Sequence, residues 1–201
     1  MAHIELIIGP MFAGKTTELL RRARSLSVIG RRVLFVAHAL DATRYAAGDV
    51  WTSIEAAVRT HDRDEQRGSN VVYASRLTAL DDLVASANVV AVDEVQFFPD
   101  LLEFVTRHEG RDDLTILLSG LDSDASRRPF GDTLAVIPLC DDVVKLRAFD
   151  TVARDGSRAS FSLRLNSGDT SVVSVGGSDQ YAAVSRSTYL RLHTPTPTPH
   201  A

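Results

Sequence analysis

Gly9-Pro10-Met11-Phe12-Ala13-Gly14-Lys15-Thr16 is the stretch that decides the fold. It fits G-x-x-x-x-G-K-[ST], in which the glycines let the backbone curl until successive N–H groups point at one centre. A helix that follows such a loop aims the positive end of its dipole at the same point. Lys15 is placed to reach the β- and γ-phosphates of a nucleotide, and the Thr16 hydroxyl to ligate Mg2+. A glycine-rich turn with an incidental lysine would lack the context present here. An apolar run precedes the loop over residues 3–8, and an amphipathic pattern follows it over 16–29.

Working outward, residues 16–29 place Leu19, Leu20, Ala23 and Leu26 on one helical face, with Arg21, Arg22 and Arg24 mostly away from it. Further apolar runs occupy 32–37, 88–92, 114–119 and 142–146. They are rich in Val and Ile and nearly continuous, as in strands buried on both faces. Residues 78–87 and 101–108 read as helices. This alternation predicts an α/β fold over residues 1–146, with a P-loop NTPase-type parallel sheet and flanking helices. After Leu146 the composition turns to Ser, Arg, Gly and Asp, with one alternating strand at 171–175. Residues 147–192 therefore read as a small β/loop subdomain, and the Thr-Pro repeats of 193–201 as a mobile tail.

The second motif is Asn88-Val89-Val90-Ala91-Val92-Asp93-Glu94, an apolar strand ending in two carboxylates. Ligands of open α/β sheets bind at the carboxyl ends of strands, which brings both acids near the phosphate loop. One carboxylate can hold the Mg2+ shell, and the other can orient or deprotonate a nucleophile. By itself such a pair is most often a solvated turn; the phosphate loop tips the balance. Thr60-His61-Asp62-Arg63 and Arg127-Arg128-Pro129-Phe130-Gly131 offer arginines that could neutralise transferring phosphate charge. From the residues alone, a solvent-facing arginine is the better account of each cluster. Gly176-Gly177 with Tyr181 suggests a tight backbone approach beside an aromatic, or a simple turn.

Composition removes several classes of function. Lys+Arg number 22 against 26 Asp+Glu, a formal charge of −4, so no basic excess points to a nucleic-acid polymer. No apolar run approaches the roughly 20 residues that span a bilayer, and the start lacks a signal-peptide pattern. Cys140 is the single cysteine, which excludes an internal disulfide, and a buried small hydrophobe is its default role. These features predict a cytoplasmic protein that binds no membrane. The six histidines are dispersed without ligand spacing, so no metal other than Mg2+ is expected.

Taken in order, the motifs resemble the type II thymidine kinases, the cytosolic, zinc-containing family. The resemblance runs from Ile4 to Tyr189. It is carried by Gly-Pro-Met-Phe-Ala-Gly-Lys-Thr-Thr-Glu-Leu at 9–19, Asp-Ala-Thr-Arg-Tyr at 41–45 and Thr-His-Asp-Arg at 60–63. Val-Asp-Glu-Val-Gln-Phe-Phe-Pro-Asp at 92–100, Gly-Leu-Asp at 120–122 and Arg-Arg-Pro-Phe-Gly at 127–131 continue it. Val-Val-Lys-Leu at 143–146 and Gly-Gly-Ser-Asp-Gln-Tyr at 176–181 complete it. The phosphate loop is shared with many NTPases; Gly-Pro-Met-Phe together with Asp-Glu-x-Gln-Phe-Phe is far more restrictive.

The resemblance implies ATP-dependent phosphorylation of the 5′-hydroxyl of deoxythymidine, and of deoxyuridine as a second substrate, in nucleotide salvage. It implies Glu94 as general base, Arg63 as a stabiliser of the transferring group, and Asp93 with Thr16 as Mg2+ ligands. Gly9, Met11, Phe12, Ala13, Gly14, Lys15, Thr16 and Thr17 would bind the ATP phosphates. Met11, Leu121, Phe130, Ser162, Val175, Gly176 and Tyr181 would bind the nucleoside, the later ones from a lasso loop over sugar and base. A homotetramer and feedback inhibition by dTTP are implied too. Two departures stand out. Asp150, Ala153, Ser185 and Thr188 occupy the positions of the family's four zinc-binding cysteines, so no zinc is expected. The lasso would then be held by packing or oligomer contacts, or be more mobile. Ala125 stands where the family often has an aromatic against the base. These losses motivate two other readings, a nucleotide-binding sensor without turnover and a P-loop ATPase.

Overall fold

The computed structural model describes residues 1–41, 71–165 and 180–192. Arg63, Val175, Gly176, the strand expected at 171–175 and the tail at 193–201 lie outside the described residues.

The central element is a six-stranded sheet in which every pairing is parallel. Its strands are β1 (His3–Ile8), β2 (Val33–His38), β3 (Val71–Ala74), β4 (Val89–Val92), β5 (Thr115–Gly120) and β6 (Asp142–Lys145). Their order across the sheet is β3-β2-β4-β5-β1-β6. Continuous apolar runs form these strands because side chains alternate between two covered faces. One face carries Ile4, Leu6, Ile8, Val36, Val90, Val92, Ile116 and Leu118. The other carries Ile7, Val33, Phe35, Val89, Ala91 and Leu117.

Each face meets a helix. Helix α1 (Lys15–Val28) buries Lys15, Leu19, Ala23 and Ser27, a stripe four residues apart. Leu19 and Ala23 pack on the second face, so Lys15 heads the same stripe and is directed at the sheet edge. Helix α3 (Leu101–His108) covers the first face through Leu101, Phe104 and Val105. Between them, the helix expected over 78–87 is split into a 3-10 turn (Thr78–Leu80) and α2 (Asp81–Ser86). The buried Asp100 carboxylate accepts the N–H groups of Leu77 and Thr78 and the Thr78 hydroxyl, which fixes the tight turn ahead of α2.

Beyond Lys145 the chain leaves the sheet. Strands β7 (Ala148–Phe149) and β8 (Arg158–Ala159) form one antiparallel pair. Strands β9 (Phe161–Arg164) and β10 (Tyr181–Val184) form another, and α4 (Arg186–Leu192) follows directly. Their own small core is Leu163, Ala182, Val184 and Tyr189. Among the described residues, no helix is long and apolar enough to cross a membrane.

Candidate active site

Strand β1 delivers the phosphate loop to the carboxyl edge of the sheet, and β4 delivers Asp93 and Glu94 to the same edge. β5 lies between the two strands, with Val92 opposite Leu118 and Ile8 opposite Gly120. The gap is closed by one short contact: the Thr16 hydroxyl donates to Asp93 Oδ2 at 2.7 Å. Two hard oxygen donors therefore sit together beside the loop, the chemistry that Mg2+ prefers. Asp93 is 1% exposed and Lys15 8% exposed, so neither charge is diluted by bulk water.

The loop itself is tightly constrained. Gly9 has φ +149, and a Cβ there would stand 2.5 Å from the Leu146 carbonyl oxygen. Only glycine fits that approach. Phe12 is held at φ 63, a strained value for a side chain of that size, and Gly14 caps α1 in the left-handed region. The Lys15 ammonium donates to the Pro10 carbonyl at 2.9 Å, across the mouth of the loop. Thr17 is exposed on the first turn of α1.

One wall of the loop is supplied by the small unit. Ala13 packs against Ala148, Ala159 and Ala183. The Met11 N–H donates to the Ser162 hydroxyl at 2.9 Å, and Ser162 is 4% exposed on β9. Ser162, expected to bind the nucleoside, also holds the phosphate loop through its hydroxyl. Ser162→Ala would orphan a loop N–H, at a cost of about 1–2 kcal/mol. The expected result is a melting temperature lower by a few degrees and weaker ATP binding, read by thermal melts and calorimetric titration. Unchanged values in both would show that the loop does not depend on this bond.

Glu94 has φ 53 and ψ 46, the left-handed region, and its N–H donates to Asp93 Oδ1 at 3.0 Å. A 3-10 turn follows at Val95–Phe97 and folds Gln96 back onto Glu94. Gln96 then bonds the Leu121 N–H, while the Phe97 ring meets Phe130 edge-on with centroids 5.6 Å apart. Leu121 and Phe130 are thus joined through the segment after the acids. His38, at the end of β2, packs on Phe97 and Phe98, and burial pushes its pKa down. Tyr181 starts β10, and its hydroxyl accepts from Arg164 at 2.8 Å. Gln96, Phe97 and His38 were not singled out from sequence. The phrase Gln-Phe-Phe after the acids was the available signal for two of them.

Ala125 and the four positions aligned with zinc ligands are all engaged. The Ala125 carbonyl accepts the Tyr189 hydroxyl at 2.8 Å. Asp150 Oδ1 accepts the N–H groups of Val152 and Ala153, and Oδ2 accepts that of Ser185. The Ser185 hydroxyl lies 3.2 Å from that of Thr188 and accepts its N–H. One carboxylate already saturated by N–H donors, two neutral hydroxyls and an alanine do not fit a structural zinc site, which needs four closed ligands.

A sequence profile of the thymidine kinase family matches residues 2–189. Thymidine kinases of monkeypox virus, vaccinia virus (strain Western Reserve) and variola virus are each 36% identical over 190 residues, covering 94% of this chain and 97% of theirs.

Proposed function

We propose a division of labour that starts from one premise: the chain belongs to the thymidine kinase family and phosphorylates thymidine in nucleotide salvage. The donor is ATP, and the acceptor is the 5′-hydroxyl of deoxythymidine. Lys15 and the loop N–H groups from Phe12 to Thr17 hold the phosphates, with Gly9 and Met11 shaping the loop. Thr16 and Asp93 would hold Mg2+, which supplies charge neutralisation on the β- and γ-oxygens. Glu94 accepts the proton of the 5′-hydroxyl as that oxygen attacks the γ-phosphorus in line. Leu121, Phe130 and Phe97 contribute apolar wall to the nucleoside pocket, with Met11 and Tyr181 at its margins. Arg63 completes the charge stabilisation, and Val175 and Gly176 bond the nucleoside from the lasso.

The observation that carries this reading is the Thr16–Asp93 bond, with Glu94 as the next residue. It brings Thr16, Asp93 and Glu94 together at the phosphate loop, which supports reading them as a metal-binding pair beside a carboxylate base. Phosphoryl transfer asks little more of a protein than positioning and charge neutralisation. The test is ADP release with and without thymidine. ADP and dTMP should appear together, and only with thymidine present. ADP release indifferent to thymidine would mark an ATPase, and tight nucleotide binding without turnover a sensor. The proposal extends to a cytoplasmic homotetramer inhibited by dTTP, on family likeness, and sedimentation with and without dTTP addresses both assembly and binding.

A further inference from the structure

Gln96 is 4% exposed, and both ends of its amide are engaged. Oε1 accepts the Leu121 N–H at 3.0 Å, and Nε2 donates to Glu94 Oε2 at 2.7 Å. A backbone N–H can only donate, so it dictates which end of the amide faces Leu121. The NH2 group is thereby directed at the carboxylate. No other neutral side chain of this length offers one acceptor and one donor at that span.

We propose that Gln96 is a positioning residue for the general base, aligning the Glu94 carboxylate and keeping it in register with the Leu121 wall of the nucleoside pocket. The inference rests on Glu94 being the base, as argued under Proposed function. Three features support it. A glutamate side chain has three rotatable bonds, and near-attack geometry tolerates little of that freedom. A carboxylate is planar, so a bond to Oε2 from a buried donor also sets the direction of Oε1. The neighbouring strand is shaped to admit the amide: a Cβ on Gly120 would lie 2.7 Å from Gln96 Oε1 and 2.6 Å from Val95 Cγ2. The 3-10 turn at Val95–Phe97 then brings the amide back to a residue only two positions earlier. A role confined to holding Leu121 would need the acceptor alone and would leave the donor without a purpose.

Two substitutions separate the functions. Gln96→Met removes donor and acceptor at nearly constant volume. Gln96→Glu keeps an acceptor for the Leu121 N–H and sets a second carboxylate against Glu94 in place of the amide donor. Each is made in the wild-type chain and in the Glu94→Gln variant, and each is checked for folding by thermal melting. In the wild-type background both should lower kcat by about 10- to 100-fold, and in Gln96→Glu, which keeps the Leu121 acceptor, KM for thymidine should change little. In the Glu94→Gln background neither should lower kcat further, because residues that act through one another are not additive. Normal kcat in both variants would overturn the proposal. So would an effect confined to KM, or equal losses in the two backgrounds. Near-normal turnover in Glu94→Gln alone would overturn the assignment of the base and this proposal with it. A large loss there beside normal kcat in the Gln96 variants would overturn this proposal only.

Discussion

Glu94→Gln should lower turnover by at least about 10²-fold, the size of a general-base contribution, and leave ATP affinity nearly unchanged. The substitution is clean for a structural reason. The Gln96 NH2 now donates to a carboxylate oxygen, and an amide carbonyl at position 94 can accept the same bond. The Glu94 N–H to Asp93 Oδ1 bond belongs to the backbone and survives as well. What disappears is the negative charge, and with it the capacity to take a proton. ATP affinity should hold because the phosphates are assigned to Lys15 and the loop N–H groups, and the metal to Thr16 and Asp93. Asp93→Asn is the informative contrast: on the proposed assignment it removes a charged metal ligand and should raise the Mg2+ requirement. Single-turnover dTMP formation with calorimetric ATP binding measures both quantities. Near-normal turnover in Glu94→Gln would remove the residue from the mechanism. A parallel loss of ATP binding would mean that it supports the phosphate loop instead.

Much of this site was legible because its decisive residues lie in local, ordered patterns. The phosphate loop needs its glycines, lysine and threonine within eight positions, and the apolar runs around it fixed β1, β2, β4, β5 and β6 to within a residue or two. Strand β3 was missed. It is an apolar run of only four residues, Val71–Ala74, which among the described residues pairs with β2 alone and leaves Tyr73 exposed; a run that short is not distinguished from a loop. The small unit was legible only in outline. Strands of two residues, such as β7 and β8, carry no period at all. Helix α4 begins directly after β10, with its start set by the Ser185 hydroxyl on the Thr188 N–H rather than by a run of apolar residues. The unread contacts share one property, distance along the chain. Met11 meets Ser162, Gln96 meets Leu121, and Asp150 meets Ser185. No periodicity predicts a hydrogen bond between residues that only the fold brings together.

Asp150→Ala should be among the more destabilising single changes outside the central sheet, by roughly 2–4 kcal/mol. The carboxylate is 3% exposed and receives three backbone N–H groups, from Val152, Ala153 and Ser185. Truncation would leave the Ser185 N–H buried without an acceptor and free the half-exposed N–H groups of Val152 and Ala153, and an orphaned buried donor costs more than the net worth of the bond it made. The damage should spread along a defined route. Ser185 caps the start of α4, α4 carries Tyr189, and Tyr189 is tied to the Ala125 carbonyl. A lower melting temperature by about 10 °C should therefore accompany a higher KM for thymidine. Acid should narrow the difference. Burial pushes the Asp150 carboxyl up, but the N–H groups of Ala153 and Ser185 and the hydroxyls of Thr188 and Ser185 outweigh it and hold the pKa well below the ordinary 3.8. A depressed folded-state value means that the carboxylate stabilises at every pH above the unfolded value, and that this stabilisation fades as pH falls below it. The gap in melting temperature between wild type and Asp150→Ala should stay constant near neutrality and narrow only below about pH 4. Elemental analysis of untagged wild-type protein should find no stoichiometric zinc, since the node works through hydrogen bonds. Equal melting of the two proteins at pH 7 would show that packing of Tyr189, Phe161 and Leu163 holds the small unit without the carboxylate. One zinc per chain would show that the node is assembled around a metal after all.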